Sequence, residues 1–211
     1  MVSNTHSSGS VFVPLPVPAD DPNVDQRMLL HGVTWRDYLV LRELLDGPGL
    51  RMTYLNGVLE FMSPSRKHEG VKTRLARLLE LYALELDIPL FGYGSTTFRH
   101  EAQERGLEPD ECYVVGRDMA EFPDIALEVA VTAGGLNRLE VYRPMGVKEV
   151  WFWFEGSITV YVLEDGGYRH CARSSLLPDL DLKELAQLAD QEDQHAALKE
   201  YRRRLREFSA H

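Results

Sequence analysis

The sequence predicts an α/β fold, in which helices cover both faces of a sheet. A long helical pattern follows Ser63-Pro64-Ser65, with apolar residues at three- and four-residue steps. Nearly continuous apolar runs at Cys112–Val115 and Ile125–Val131 are typical of strands buried on both faces. A short helix over 135–145 and the strand Glu149–Phe154 come next. With one more strand after the long helix, the predicted order is helix, three strands, helix, strand.

Two elements are expected before this core. Apolar residues at helical spacing predict a helix that begins after Thr34, a candidate N-cap, and ends at Gly47-Pro48-Gly49. Two β-type runs, Met52–Leu55 and Val58–Met62, flank Asn56-Gly57, which readily takes the positive φ angles of a tight hairpin. The sequence therefore predicts an N-terminal helix and hairpin.

The same patterns assign the rest of the chain. They predict one strand at Leu90–Arg99, a hairpin of Ile158–Leu163 and Tyr168–Ala172, and one or two polar helices from Asp181 to Phe208. The N-terminal segment is rich in Ser, Pro, Val and Asp without periodicity. We therefore expect a flexible arm over 1–26, a main domain over 27–190 and a helical extension over 191–211.

Length and composition indicate one domain rather than two. The chain has 211 residues, 44% of them hydrophobic and 27% charged. No stretch approaches the roughly 20 apolar residues of a membrane span, and the start does not have the pattern of a secretory signal. Cys112 and Cys171 match no paired metal-ligand spacing, so we interpret them as buried thiols of a cytoplasmic protein rather than a disulfide.

The formal net charge of −10 limits how the chain could hold nucleic acid. Phosphate neutralisation supplies most nonspecific affinity, so DNA contact would require a local basic patch. Two basic clusters are candidates, although such runs are more often solvated helix faces. The clusters are Arg66, Lys67, Lys72, Arg74 and Arg77, and Lys199, Arg202, Arg203, Arg204 and Arg206.

Two acids on consecutive strands are the best candidates for chemistry. Asp110 precedes one short apolar strand and Glu128 lies inside the next. If these strands are neighbours, the carboxylates converge and could share Mg²⁺, which acidifies a water and neutralises a phosphodiester under attack. Alternatively, Asp110 and Asp124 cap turns after proline, and Glu128 faces solvent. The apolar neighbours of Glu128 indicate a buried position and disfavour that alternative. Burying an unpaired carboxylate destabilises the fold by several kcal/mol, so a buried Glu128 would need a partner.

Other patterns favour structural roles. The sequence contains no GxxxxGK[ST], GxGxxG or GxSxG motif, which argues against a P-loop motor, a dinucleotide enzyme and an α/β hydrolase. His68 and His100 are isolated, and we interpret each as a surface or hydrogen-bonded core histidine. Along Trp151–Phe154 alternate side chains face opposite sides, so one set should be core and the other covered by a helix or a second subunit. A further interpretation is that nucleic-acid bases stack on these aromatic side chains.

Seven stretches in order carry a family resemblance. From Leu30 to about Leu188 the chain resembles the Uma-type putative restriction endonuclease family, built on the PD-(D/E)xK nuclease core. The stretches are HGVTWRDYLVL, YLNGVLEFMSPSRKHE, GSTTFRHE, GLEPDECYVV, FPDIALEV, RLEVYRPMGVKEVW and EDGGYRH. The resemblance implies a restriction-endonuclease-like αβββαβ core with a mixed sheet. An N-terminal helix and hairpin and an added C-terminal hairpin and helices would surround that core.

The resemblance also assigns site residues. Asp110 matches the acid of the family's Pro-Asp motif, and Glu128 matches the acid of its Glu-x-Lys-like motif. Glu69 matches a helix position that can add an acid near the metal, although a first-turn acid favoured by the helix dipole explains it equally well. Ala130 stands where the standard motif has lysine, and Arg138 takes the basic position that relatives place four residues before Tyr142.

These matches imply a metal-dependent DNA endonuclease. Asp110, Glu128 and Glu69 would hold Mg²⁺ or Mn²⁺, and Arg138 would steady the scissile phosphate. DNA is the expected substrate, a homodimer the expected assembly, and no membrane association is expected. Because arginine is a poor general base, the alternative is a weakened or inactive nuclease-fold protein that binds nucleic acid or protein. A third reading is an assembly subunit built through the aromatic hairpin.

Overall fold

Two β-sheets and five helices make up the described part of the protein, for which we use a computed structural model. It describes residues 21, 23–45, 47, 49–116, 121–132 and 134–209. In chain order the elements are β1 Gln26–His31, α1 Trp35–Leu44, β2 Arg51–Leu55, β3 Val58–Ser63, α2 Arg66–Glu85, β4 Leu90–Gly92, β5 Phe98–His100, β6 Arg105–Leu107, β7 Glu111–Val115, β8 Ile125–Ala130, α3 Arg138–Tyr142, β9 Glu149–Phe154, β10 Ser157–Glu164, β11 Gly167–Cys171, α4 Leu182–Ala189 and α5 Gln194–Ser209.

The larger sheet is mixed and contains the predicted core. Its strand order is β11-β10-β9-β8-β7-β4. Strands β8 and β9 are parallel, with α3 in the connection between them, and the other neighbours are antiparallel. Taken along the chain, α2, β4, β7, β8, α3 and β9 give the αβββαβ order, so the predicted α/β fold is confirmed.

The smaller sheet is antiparallel, with the order β1-β3-β2-β6-β5. Its β2–β3 hairpin turns at Asn56 and Gly57, whose φ angles are 50° and 81°, as the dipeptide predicts. Thr34 caps α1 through a reciprocal pair of hydrogen bonds with Asp37. Strand β1 was not predicted. Residues 1–20 lie outside the described ranges, so the flexible arm stays a prediction.

The prediction of one strand over Leu90–Arg99 was wrong. The structure has two short strands there, and they belong to different sheets: β4 pairs with β7, and β5 pairs with β6. The chain turns between them at Gly94, which has a φ of 59°. A positive φ suits glycine, which has no Cβ to clash, so this one residue divides an otherwise strand-like run.

Both faces of the larger sheet are covered. Helices α2, α4 and α5 pack on one face, where Trp151 and Trp153 are buried with Leu75 and Leu185. On the other face Val150 and Phe152 pack with residues of the α3 region. Alternation along β9 thus places one set of side chains in the main core, as predicted, and the structure shows that this set is the tryptophans. Both cysteines are free thiols, and no described helix is long and apolar enough to span a membrane.

A close approach at Gly106 in β6 leads to a stability prediction. A Cβ there would lie 2.8 Å from both Cε1 and Cζ of Tyr38, whose ring is fully buried. Because the buried ring would have to shift within the packed core, we expect Gly106→Ala to lower the free energy of unfolding by about 1–3 kcal/mol, measured by urea denaturation. Gly167→Ala is the matched control, since its Cβ would meet nothing within 4 Å. Equal losses in the two variants would contradict the prediction.

Candidate active site

Asp110 lies just before β7, and Glu128 lies inside the neighbouring strand β8. Strands β7 and β8 pair antiparallel, with Glu111 opposite Leu127, so Asp110 and Glu128 come next in the same register. The backbone N–H of Val129 donates to Asp110 Oδ2 at 2.6 Å. Both carboxylates are buried, with residue exposures of 1% and 5%. The structure therefore excludes the alternative in which Glu128 faces solvent.

Asp110 is held ionised by two cationic side chains. Arg51 donates to its Oδ1, and His68 Nε2 lies 2.9 Å from the same oxygen. Burial alone would raise the pKa of Asp110. The hydrogen bond from His68, the positive charges of His68 and Arg51, and the N–H of Val129 instead lower this pKa to about 2.

His68 links the start of the described chain to this acid. Its ring is fully buried, and Nδ1 lies 3.0 Å from Asp25 Oδ2. Burial works to lower the pKa of His68, but the hydrogen bonds to Asp110 and Asp25 raise it to about 9. His68 is therefore an imidazolium that donates to both carboxylates near neutral pH. Asp25 is held in turn by the backbone N–H of Ser65 at 2.8 Å.

Glu128 lies between α3 and the strands. The hydroxyl of Tyr142 donates to its Oε1, and Arg138 Nε lies 3.9 Å from its Oε2. Burial raises the pKa of Glu128, and the nearby Asp110 charge adds to this, while Arg138 opposes it. Arg138 and Tyr142 are one helical turn apart, so both reach the same carboxylate from α3.

A second buried acid, Glu60 of β3, fixes Arg138. Arg138 Nη2 donates to Glu60 Oε1 at 3.0 Å, and its Nη1 donates to Thr53 Oγ1. Arg27 Nη1 donates to the same Glu60 oxygen at 3.2 Å, and the N–H of Leu136 donates to Oε2 at 2.9 Å. Glu60 thus joins strands β1 and β3 of the smaller sheet to the segment before α3.

Glu69 occupies a different position from the two strand acids. Its side chain is 42% exposed and accepts from Arg51 Nη2 at 3.1 Å, with Lys72 Nζ at 2.5 Å. It therefore reaches Asp110 only through the shared Arg51. Among the residues that the structure describes, no group of three or more His, Cys, Asp or Glu side chains is arranged to hold a metal ion.

Sequence reasoning missed Asp25, Arg51, Glu60 and His68 as parts of this site. Each looks ordinary along the chain, because its partners are distant: His68 and Asp25 are 43 residues apart, and Arg51 and Asp110 are 59 apart. The only local signal was a charged or polar residue within an apolar run, as for Glu60 in VLEFM. The interpretation of His68 as a hydrogen-bonded core histidine holds.

An open cavity of about 400 Å³ adjoins the site where the two sheets meet. Glu128 and Arg138 line it, together with residues of β1, β3 and β8 to β10. Asp110 is not part of the wall. Any ligand in this cavity would therefore meet the Glu128 and Arg138 side of the centre first.

The two basic clusters are largely engaged in contacts with the protein itself. In the C-terminal cluster, Arg202 and Arg206 pair with Glu85, and Arg203 and Arg204 pair with Glu200. In the cluster on α2, the contacts are Lys72 with Glu69, Arg74 with the carbonyl of Ala189 and Arg77 with Gln194. These pairs favour the interpretation of both clusters as solvated helix faces.

Comparisons with known proteins show which family the chain belongs to. A crystal structure described as a putative nuclease belonging to DUF820 from Anabaena variabilis ATCC 29413 matches at 13% identity and a TM-score of 0.49, covering 79% of this chain and 99% of that chain. A likeness of that size supports no conclusion about activity. A search of curated proteins found no match. The Uma2 family model, described as "Putative restriction endonuclease", matches residues 35–199. Because this match spans well over half of the sequence, the chain belongs to the Uma2 family.

Proposed function

We propose that this chain is a metal-dependent DNA endonuclease with Asp110 and Glu128 at its centre. Membership of the Uma2 family supports a nuclease. The observation that carries the proposal is the pair of buried carboxylates, adjacent on β7 and β8, with Arg138 beside them and an open cavity in front of Glu128. Such a pair can act on a phosphodiester that reaches the cavity.

The two carboxylates have oxygen atoms suited to one small divalent cation. Asp110 Oδ2 accepts one hydrogen bond, and Glu128 Oε2 lies 3.9 Å from Arg138 Nε, beyond hydrogen-bond length. Each carboxylate therefore keeps acceptor capacity. Mg²⁺ is commonly held by one or two carboxylates, with waters and phosphate oxygens as its other ligands, so this pair would hold Mg²⁺ or Mn²⁺. Glu69 would join as a third ligand only by releasing Arg51. When bound, the metal would acidify a water and neutralise phosphate charge.

The protein's own cations define the other roles. Arg138 stays protonated, since the charges of Glu128 and Glu60 raise its pKa against the effect of burial. It can steady an anionic phosphate but cannot act as the base. Arg51 and His68 keep Asp110 ionised and oriented. These cations offset part of the charge of the buried acids.

Nicking of supercoiled DNA tests the proposal. We expect cleavage with Mg²⁺ or Mn²⁺ and none with EDTA, and we expect Glu128→Gln to reduce the rate by at least about 100-fold, a loss of roughly 3 kcal/mol of transition-state stabilisation. Glutamine suits this position because burial already favours the neutral form of Glu128. Glu192→Gln, at an exposed position on the connection before α5, is the control. Undiminished cleavage by the Glu128→Gln variant would contradict the assignment of Glu128 to the catalytic centre.

The second candidate is a weakened or inactive nuclease-fold protein that binds nucleic acid or protein. It is favoured by Arg138 in the basic position and by the two cations and one backbone N–H that already bind Asp110. Calorimetric titration with Mn²⁺ separates the two candidates. Binding of Mn²⁺ that is lost in Glu128→Gln supports the enzyme, and absence of Mn²⁺ binding supports the binding module.

Two further expectations stay predictions. One is a homodimer, with one centre for each DNA strand. The other is a cytoplasmic location, in keeping with two free thiols.

A further inference from the structure

The cavity beside Glu128 has the size of a small-ligand site. Its volume of about 400 Å³ lies within the range of roughly 300–1,000 Å³ that ligand pockets span. It is bounded by Met62 and Arg27 of the smaller sheet and by residues of β8, β9 and β10 of the larger sheet. Since Glu128 and Arg138 form part of the same wall, whatever enters the cavity lies directly against the proposed centre.

One wall of the cavity is aromatic. Phe152, Phe154 and Tyr161 lie on it, with Phe152 and Tyr161 in edge contact at a centroid distance of 5.8 Å. Alternation along β9 sends Trp151 and Trp153 into the core, so the phenylalanines must face this side. Phe154 remains 39% exposed, which leaves a planar apolar surface at the cavity mouth.

Polar groups accompany the aromatic wall. Thr132 and Thr159 bring hydroxyls that donate and accept, and Asn137 brings a side-chain amide. Asn137 is oriented by its role as N-cap of α3, where its Oδ1 accepts from the N–H of Leu139 at 3.1 Å. A planar wall with a few amide and hydroxyl groups matches the face and the hydrogen-bonding edge of a nucleobase.

The charge distribution also bears on how DNA is held. The chain carries a net charge of −10, and most residues of its two basic clusters are engaged within the protein. Phosphate neutralisation, which supplies most affinity for duplex DNA, is therefore weak here. Stacking of bases on aromatic side chains adds affinity for unpaired strands, whose bases are free to leave the stack.

We propose that this cavity binds one unstacked nucleobase of the DNA strand at the centre, so that single-stranded or unpaired DNA is the preferred substrate. This inference rests on the proposed function. Inside a duplex the base would have to leave its stack first, and that step costs least where the base is mismatched or already unpaired. Phe154 is the residue expected to stack on the base.

Fluorescence anisotropy with a labelled oligothymidylate, in EDTA so that nothing is cleaved, tests this. We expect binding of the single strand to be tighter than that of a duplex of the same length and to weaken only gently with salt. We expect Phe154→Ala to weaken single-strand binding by about tenfold, the effect of one base–aromatic stack. Phe154→Tyr keeps a ring and should keep the affinity. Phe208→Ala, a 66% exposed residue of α5 away from the cavity, is the control.

Equal affinities of the Phe154→Ala and Phe208→Ala variants would overturn the inference, as would tighter binding of the duplex or no binding of the single strand. The nicking assay and the anisotropy measurement test the two proposals independently. Loss of affinity in Phe154→Ala together with undiminished cleavage by Glu128→Gln would remove the catalytic assignment and keep the base site. The reverse pair of results would remove only the base site.

Discussion

Replacing Asp110 by asparagine is expected to lower the free energy of unfolding by about 3–5 kcal/mol, in addition to abolishing cleavage. The Asp110 carboxylate is buried and accepts from Arg51, His68 and the N–H of Val129. Asparagine has no charge and only one acceptor oxygen, so the variant leaves the buried His68 and Arg51 with Asp25 and Glu69 as their remaining counter-ions. Breaking a buried ion pair by removing one partner has costs of this size. Urea denaturation at neutral pH measures the change.

A control and a double variant make this result interpretable. Asp165→Asn, at an exposed turn with a φ of 48°, should leave stability nearly unchanged, because asparagine tolerates that conformation. His68→Gln combined with Asp110→Asn should cost less than the sum of the single variants, since the two side chains contact each other and each single variant already removes that contact. Additive costs would show that His68 and Asp110 are not coupled. A stability loss in Asp110→Asn also explains why Glu128→Gln is the cleaner test of catalysis.

Stability is expected to fall as the pH rises from about 6.5 to 9. The pKa of His68 is raised from its usual 6.5 to about 9 by Asp110 and Asp25, with Arg51 sharing the Asp110 oxygen. Because the folded-state pKa is the higher one, the contribution is fully present below pH 6.5 and is lost as the pH rises through 9. It is on the order of 3 kcal/mol. Urea denaturation at half-unit pH steps would show the decline.

His68→Gln should remove most of this pH dependence, because glutamine does not titrate. His195→Gln is the matched control, since His195 is an exposed histidine on α5 and should leave the slope unchanged. The difference between the wild-type and His68→Gln curves isolates the His68 contribution from that of other groups. Parallel curves for wild type and His68→Gln would contradict the assignment of a buried imidazolium between Asp25 and Asp110.

Local patterns along the chain were enough for most elements, and they singled out two acids as candidates. The N-cap at Thr34, the turn at Asn56-Gly57 and the αβββαβ order depend on residues a few positions apart, so short-range propensity and periodicity predict them. Asp110 and Glu128 stood out because each is an acid beside or within an apolar strand, where leaving a charge unpaired is costly. The proximity of the two acids depends on the pairing of β7 with β8, which the sequence could only suggest.

The partners of those acids were decided by the tertiary structure. From the spacing alone, a metal ion looked like the cation that would offset repulsion between the carboxylates, whereas the fold supplies Arg51, His68 and Arg138 for that purpose. The division of Leu90–Arg99 between two sheets likewise follows from which strands are available to pair. Sequence patterns report burial and local conformation, but ion pairs between residues 40 or more positions apart exist only once the two sheets and α2 pack together.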